Sequence, residues 1–243
     1  MGFISPKWFT IRNGGCPNHV SKHRQAGLLG RPALQTHVKI CGITRISDAL
    51  AAAQYGAFAI GLNFCLQSPR CIDLETASEI ARALPREIAV AAVFVNPDRA
   101  RVLEALSAVP LSLLQFHGDE APDFCERFGV PYVKALRVKP GMDLLQYAAR
   151  YSTARALLLD AFVADQHGGT GHSFDWQLIP RPMPLPIVLS GGLNPSNVRA
   201  AIERVRPWAV DVASGVESAP GIKNVEKIAA FMREVANASL RSS

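Results

Sequence analysis

The sequence predicts an α/β fold, a single (β/α)8 TIM barrel, preceded by a short basic extension. Beyond residue 37, eight short apolar runs alternate with amphipathic stretches, as expected for parallel strands separated by helices. The runs are mostly apolar, with single polar interruptions such as Lys39, and predominantly apolar runs are typical of strands that are covered on both faces. The length of residues 38–243 is near the lower limit of about 200 residues for such a barrel.

The units follow one another along the whole segment. The apolar runs are Val38–Cys41, Ala57–Phe64, Ile88–Val95, Leu111–Phe116, Tyr132–Val138, Ala156–Leu159, Pro186–Leu189 and Ala209–Val212. Candidate helices are Ser47–Tyr55, Leu74–Leu84, Asp98–Ala108, Ala121–Phe128, Asp143–Arg150, Pro195–Val205 and Val225–Val235. The sixth unit is the weakest, with only a helical turn expected near Phe174–Ile179. A doubly wound open sheet is the alternative, but no G-x-G-x-x-G motif follows the first run.

Composition excludes several classes of protein. The chain has 243 residues, of which 49% are apolar and 19% are charged, so it is not a disordered chain. No apolar stretch approaches the roughly 20 residues of a membrane span, and no membrane partner is expected. The five cysteines form no C-x-x-C pair. This pattern disfavours a disulfide scaffold and favours a cytoplasmic protein.

Positive charge is concentrated at the start of the chain. Residues 1–37 contain five Lys or Arg and no Asp or Glu, which leaves +1 of the net +6 for residues 38–243. We therefore expect no nucleic-acid partner for the barrel. The expected interpretation of residues 1–37 is a disordered extension. A transit peptide, half a zinc site at Cys16, His19 and His23, and a nucleic-acid-binding tail are the alternatives.

Two candidate catalytic groups end apolar runs, and barrel enzymes carry their chemistry at the carboxyl ends of the strands. Cys41 ends the first run. Its thiol either packs as a small hydrophobe or acts as a base or nucleophile, if nearby positive potential lowers its pKa. Asp160 directly follows three leucines of the sixth run. It either caps the strand or donates a proton from the mouth of the barrel.

Further polar or glycine-rich segments follow other runs. Arg70 comes after Ser68-Pro69, and its planar guanidinium suits either a substrate carboxylate or a surface ion pair. Gly191-Gly192 and Ser214-Gly215 follow the seventh and eighth runs, where barrels commonly bind phosphate. Each alone is consistent with an ordinary turn. Because both occupy the expected positions, they predict a phosphate site.

Taken together, these motifs resemble the phosphoribosylanthranilate isomerase family of tryptophan biosynthesis. The matching segments are KICGIT (39–44), SPR (68–70), VFVN (93–96), QFHGDE (115–120), KALRV (134–138), LLLD (157–160), GGTGHSFDW (168–176), SGGLNPSNV (190–198), DVASGVE (211–217) and PGIKN (220–224). Their order and spacing cover nearly all of residues 38–235.

The resemblance implies a barrel enzyme that uses no cofactor and no metal. Its reaction is the Amadori rearrangement of N-(5-phospho-β-D-ribosyl)anthranilate to 1-(2-carboxyphenylamino)-1-deoxyribulose 5-phosphate. By analogy, Cys41 is the general base, Asp160 is the general acid, and Arg70 contacts the anthranilate part. Asp211 matches a family aspartate near the substrate, and the loops at 191–192 and 214–215 match the phosphate site.

The same resemblance sets the remaining expectations. The partner is a small phosphosugar, and the assembly is a monomer or a homodimer. We expect His117 to support the barrel mouth. Two alternatives are a histidine-pathway aminoaldose isomerase, which typically uses two aspartates, and a non-catalytic phosphate-binding barrel. The cysteine and the aspartate at strand ends disfavour both.

Overall fold

A computed structural model describes residues 36–139, 141–160 and 176–240. The strands are β1 (His37–Cys41), β2 (Ala59–Asn63), β3 (Ala89–Phe94), β4 (Leu113–Phe116), β5 (Tyr132–Arg137), β6 (Ala156–Asp160), β7 (Ile187–Ser190), β8 (Ala209–Val212), β9 (Glu217–Ala219) and β10 (Ile222–Lys223). The helices are α1 (Ile46–Gln54), α2 (Leu74–Ala83), α3 (Arg99–Ala108), α4 (Pro122–Glu126), α5 (Leu144–Arg150), α6 (Val198–Val205) and α7 (Val225–Leu240). Strands β1 to β8 pair in chain order, all in parallel, and β8 pairs with β1 to close a barrel. The predicted fold class is confirmed.

The barrel begins with β1 at His37, one residue before the first predicted run. The expectation of a disordered extension concerns residues that lie, up to position 35, outside the described ranges. The same holds for most of the GGTGHSFDW segment. The described part of the sixth unit is a 3₁₀ turn at Trp176–Leu178, as its weak helical pattern indicated. The short antiparallel ribbon of β9 and β10 is an element that the sequence did not predict.

Three helices begin at aspartates. The carboxylates of Asp73, Asp98 and Asp143 precede α2, α3 and α5, and each accepts hydrogen bonds of 2.7–3.0 Å from backbone N–H groups of the first turn. These N–H groups have no partner inside the helix, so each aspartate stabilises the start of its helix. These hydrogen bonds set the residue at which each helix begins, and therefore where the loop between the preceding strand and the helix ends.

The core has an outer and an inner part. The outer part packs the helices against the barrel wall and contains large residues such as Ile40, Phe94 and Phe116. The inner part fills the lumen with small or branched side chains, which are Ala91, Leu113, Val133, Ala135, Ala156, Leu158, Val188 and Ala209. Trp208 packs against this inner group. In the part of the chain that the structure describes, no helix is long and apolar enough to cross a membrane.

A buried ion pair fixes the loop after β4. Lys134 Nζ lies 2.9 Å from Glu120 Oε2, and both side chains are 2% exposed. Glu120 also accepts hydrogen bonds from the backbone N–H groups of Asn96 and Gly118. Lys134 Nζ donates to the carbonyls of Phe116 and Gly118. The pair therefore ties the loops after β3 and β4 to β5.

Glu120→Ala is expected to destabilise the protein by about 3–5 kcal/mol, because it leaves the buried ammonium of Lys134 without its partner. The free energy of unfolding in urea measures this. Asp119→Ala is the matched control, because Asp119 is adjacent in sequence and exposed; it should change stability by less than about 0.5 kcal/mol. Equal effects of the two substitutions would contradict the role of the pair.

Candidate active site

The two candidate proton-transfer groups lie at the same end of the barrel. Cys41 is the last residue of β1 and Asp160 is the last residue of β6, with β7 and β8 between them around the wall. Both residues are partly exposed. In parallel strands that close a barrel, these ends surround one mouth. The structure thus brings together the thiol and the carboxyl group that the sequence singled out.

The Cys41 thiol lies beside a buried ion pair. Lys39 Nζ donates a hydrogen bond of 2.9 Å to Asp211 Oδ1, and the two residues are 6% and 5% exposed. The ammonium and the thiol also lie on either side of the space beside Gly61, where a Cβ would be 3.0 Å from Lys39 Nζ and 2.7 Å from Cys41 Sγ. Burial opposes the charge on Lys39, yet Asp211 and Cys41 together raise its pKa. Lys39 is therefore charged at neutral pH.

The electrostatics of Cys41 differ from the expectation that positive potential would lower its pKa. Burial raises the pKa of the thiol above its ordinary value, and the Lys39 ammonium acts in the opposite direction. The negative charge of Asp211 adds to the effect of burial. The nearest cation is thus a lysine of the same strand, and it only partly offsets the cost of burying a thiolate.

Arg70 forms a partly buried ion pair. Its Nε and Nη2 donate to Glu217 Oε1 and Oε2 at 2.8 and 2.6 Å, and these hydrogen bonds raise the pKa of Arg70. The stem of Arg70 crosses Gly42, where any Cβ would clash with it. Arg70 therefore lies next to the end of β1. One edge of its guanidinium is occupied by Glu217. No described residue accepts a hydrogen bond from Nη1, so that edge is available to another acceptor.

Lys223 connects three segments below Arg70. Its Nζ donates to the carbonyls of Cys41 and Ala213 at 2.6 and 3.1 Å and to Glu217 Oε1 at 2.8 Å. Burial favours the protonated form of Glu217, but hydrogen bonds from Arg70 and Lys223 prevail and lower its pKa. Glu217 is thus a carboxylate held between two cations, and Lys223 ties the end of β1 to the loop after β8.

His117 supports Asp160. Its Nε2 lies 3.2 Å from Asp160 Oδ2, and its Nδ1 lies 3.1 Å from Nε2 of Gln115. With the Gln115 amide donating to Nδ1, the imidazole proton is on Nε2 and is donated to the carboxylate. Gln115 is 1% exposed in the lumen. This chain of contacts orients the carboxyl group toward the mouth.

The two glycine-containing loops are in direct contact. Gly191 and Gly192 follow β7 with φ angles of 88° and 65°, which only glycine adopts readily. Gly215 approaches the other loop so closely that a Cβ there would overlap the carbonyl of Leu193. Ser214 and Gly215 begin a 3₁₀ turn, Ser214–Val216, and their N–H groups have no acceptor inside it. Such unpaired donors favour an anion.

Several residues of this site were not predicted from the sequence. Lys39, Glu217, Lys223 and Gln115 occur in the matching segments, but none of them was assigned a role. A charged residue inside a buried strand was the available signal for Lys39. Within the described ranges, no group of three or more His, Cys, Asp and Glu side chains is arranged to hold a metal ion.

Comparisons with known proteins show the family to which the chain belongs. A family profile described as "N-(5'phosphoribosyl)anthranilate (PRA) isomerase" matches residues 38–234. The N-(5'-phosphoribosyl)anthranilate isomerase of Nitrosospira multiformis is 54% identical over 202 residues, which cover 83% of this chain and 97% of that protein. The crystal structure of phosphoribosyl anthranilate isomerase from Thermotoga maritima is 40% identical, with a TM-score of 0.77, and the match covers 83% of this chain and 99% of that one.

A third relative was solved with a ligand. This phosphoribosyl anthranilate isomerase is in complex with reduced 1-(o-carboxyphenylamino)-1-deoxyribulose 5-phosphate, is 39% identical, and has a TM-score of 0.74 over 83% of this chain and 99% of that one. The profile match and the identity far exceed what a shared fold alone produces. The chain, an isomerase with a (β/α)8 barrel, therefore belongs to the N-(5'-phosphoribosyl)anthranilate isomerase family.

Proposed function

We propose that this protein catalyses the isomerisation of N-(5'-phosphoribosyl)anthranilate to 1-(2-carboxyphenylamino)-1-deoxyribulose 5-phosphate in tryptophan biosynthesis. Cys41 is the general base and Asp160 the general acid. The observation that carries the proposal is the shared location of these two groups. They end β1 and β6 at one mouth, next to the contacting loops after β7 and β8.

The reaction begins with opening of the ribose ring. A proton passes to the ring oxygen, the bond between that oxygen and C1′ breaks, and the anthranilate nitrogen forms a protonated imine. Asp160 is the proposed proton donor, since it is held at the mouth by His117. A positioned acid typically accelerates such a step by about 10²–10⁴.

The second proton transfer occurs at sugar carbon 2. The protonated imine draws electrons from the bond between C2′ and hydrogen, which acidifies that hydrogen. The Cys41 thiolate removes it, and the electrons of the broken bond neutralise the iminium nitrogen to give an enolamine. The enolamine then takes up a proton at C1′ and loses the proton of its C2′ hydroxyl, which gives the ketone. The substrate's own nitrogen accepts the electrons during this step.

Binding groups are distributed around the same mouth. The free edge of Arg70 suits the anthranilate carboxylate, since Glu217 occupies the other edge. Backbone N–H groups of Gly191, Gly192, Ser214 and Gly215 are the proposed donors to the phosphate. Asp211 uses Oδ1 for Lys39. Its Oδ2 accepts no hydrogen bond from the described residues, so this oxygen is available to the substrate, near which the family resemblance places Asp211.

The activity is tested directly with the purified protein. Phosphoribosylanthranilate is fluorescent, and its fluorescence should decay in proportion to enzyme concentration well above the spontaneous rate. Decay that does not depend on the protein would contradict the proposed function. The same protein given an aminoaldose substrate of the histidine pathway tests the range of sugars accepted.

Cys41→Ala and Asp160→Ala are each expected to lower kcat by at least about a hundredfold, because each removes one proton-transfer group. Steady-state kinetics measure the loss, and circular dichroism checks that the barrel is intact. Cys125→Ala is the matched control for the thiol, because Cys125 is fully buried on α4, with its thiol directed at the carbonyl of Glu120, and has no proposed role in proton transfer. Near-normal turnover of either variant would show that the replaced residue is not the proposed proton-transfer group.

Arg70→Ala is expected to raise KM by at least about tenfold with a smaller change in kcat, since a charged hydrogen bond contributes about 1.5–3 kcal/mol. Glu217→Gln should change KM in the same direction, because the glutamine no longer fixes the guanidinium, and the double variant should be less than additive. Arg127→Ala is the control, because Arg127 pairs with Asp123 on the exposed side of α4. Unchanged kinetics in Arg70→Ala would exclude it from substrate binding.

Gly215→Ala tests the phosphate site. The added Cβ would push the loop after β8 away from the carbonyl of Leu193. Separated donors no longer converge on one anion, so both the KM for substrate and the inhibition constant of inorganic phosphate should rise by about tenfold. Kinetics with and without added phosphate measure both values. A rise in KM without weaker phosphate inhibition would place the phosphate elsewhere.

A further inference from the structure

The buried pair of Lys39 and Asp211 requires an explanation beyond folding. Both side chains lie in the lumen and are almost completely shielded from water, at 8% and 5% exposure. Removing two charges from water costs free energy that their attraction often does not recover, and apolar residues of similar volume stabilise a core equally well. Apart from Gln115, the rest of the inner core consists of small or branched apolar side chains. We therefore expect this pair to have a role in the candidate active site at the mouth of the barrel, which lies directly above it.

The strand registers place the pair against the thiol. Lys39 of β1 is aligned with Asp211 of β8, and Cys41 of β1 is aligned with Gly61 of β2. Because side chains alternate along a strand, Lys39 and Cys41 face the lumen together. A Cβ at Gly61 would lie 2.7 Å from Cys41 Sγ and 3.0 Å from Lys39 Nζ. Because Gly61 has no side chain, there is space beside it for the thiol of Cys41 and the ammonium of Lys39 to lie close together.

Two other cations lie near Cys41 and share one carboxylate. Lys223 of β10 and Arg70 of the loop after β2 both form ion pairs with Glu217. Lys223 Nζ donates to the backbone carbonyl of Cys41. Lys39 Nζ instead faces the thiol across the space beside Gly61, and its charge favours the thiolate more than that of Lys223 does. Lys39 is therefore the cation with the most direct influence on the sulfur.

We propose that Lys39 is a positioning residue that makes the thiolate form of Cys41 accessible, and that Asp211 limits this effect by accepting a hydrogen bond from the same ammonium. The ammonium stabilises the negative sulfur, whereas the carboxylate opposes it. This inference rests on the proposed role of Cys41 as general base. It assigns Asp211 a role through Lys39 in addition to any contact with substrate.

The proposal requires opposite effects at the two residues. Lys39→Met removes the positive charge and should raise the pKa of Cys41. Asp211→Asn keeps a hydrogen-bond acceptor but removes the negative charge, so the pKa of Cys41 should fall. A residue that merely supported the fold would not produce changes of opposite sign. Charges at this distance typically shift a pKa by about one unit or more.

The experiment measures the thiol directly in the full-length protein. Alkylation of Cys41 by iodoacetamide is followed by peptide mass spectrometry from about pH 6 to about pH 10, a range that brackets the ordinary thiol pKa. The inflection of the rate should move up by about one pH unit in Lys39→Met and down in Asp211→Asn. The rising limb of kcat/KM against pH should move in the same directions.

Two further variants keep the test decisive. If Lys39→Met does not fold because Asp211 is left unpaired, the double variant Lys39→Met/Asp211→Asn removes both charges together. Its inflection should still lie above that of the unmodified protein, because the ammonium acts more strongly on the thiol than the carboxylate does. Lys139→Met is the matched control, because Lys139 is exposed in the loop after β5, and it should leave the inflection unchanged.

An unchanged inflection in Lys39→Met and the double variant, or an upward shift in Asp211→Asn, would overturn the inference. Failure of the proposed function is a separate outcome. The alkylation readout needs no turnover, so it stands even if Cys41→Ala retains activity. Conversely, if Cys41→Ala loses activity but Lys39→Met does not change the alkylation of Cys41, then Cys41 is still the general base and Lys39 does not influence its thiolate.

Discussion

Closure of the barrel between β8 and β1 is the constraint on which the site depends. The hydrogen-bonded register of these strands sets Lys39 opposite Asp211, two residues that are 172 positions apart in sequence. The same closure places the end of β1 beside the loop after β8, where Lys223 contacts the carbonyls of Cys41 and Ala213. An open sheet would leave β1 and β8 at opposite edges, and none of these contacts would form.

Two charged networks extend from this seam. Lys39 and Asp211 lie below the thiol inside the lumen, while Glu217 joins Arg70 and Lys223 at the rim. Each network leaves few unpaired charges in a low-dielectric environment, where unpaired charges are costly. The consequence is a rigid mouth in which the thiol, the guanidinium and the carbonyl groups have little freedom before substrate arrives, and such preorganisation favours catalysis.

Much of this arrangement follows from the sequence. The alternation of apolar runs and helices predicted the barrel, and the residues that directly follow each run predicted Cys41, Asp160 and the loops after β7 and β8. The contacts of Lys39, Glu217 and Lys223 were not predictable, because they depend on strand register and on which strands are neighbours after closure. The pKa of Cys41 depends on burial, which no local pattern reports, so the direction of its shift was also missed. The ribbon of β9 and β10 has only two paired strands and no distinctive period.

The central claim is that one substrate spans Cys41, Asp160 and the two glycine loops. A crystal structure of this protein with reduced 1-(2-carboxyphenylamino)-1-deoxyribulose 5-phosphate tests it most directly. We expect the phosphate at the backbone N–H groups of residues 191–192 and 214–215, sugar carbon 2 next to Cys41 Sγ, and the carboxylate at the free edge of Arg70. A ligand bound with its phosphate away from these loops, or with its sugar beyond the reach of Cys41 and Asp160, would contradict it.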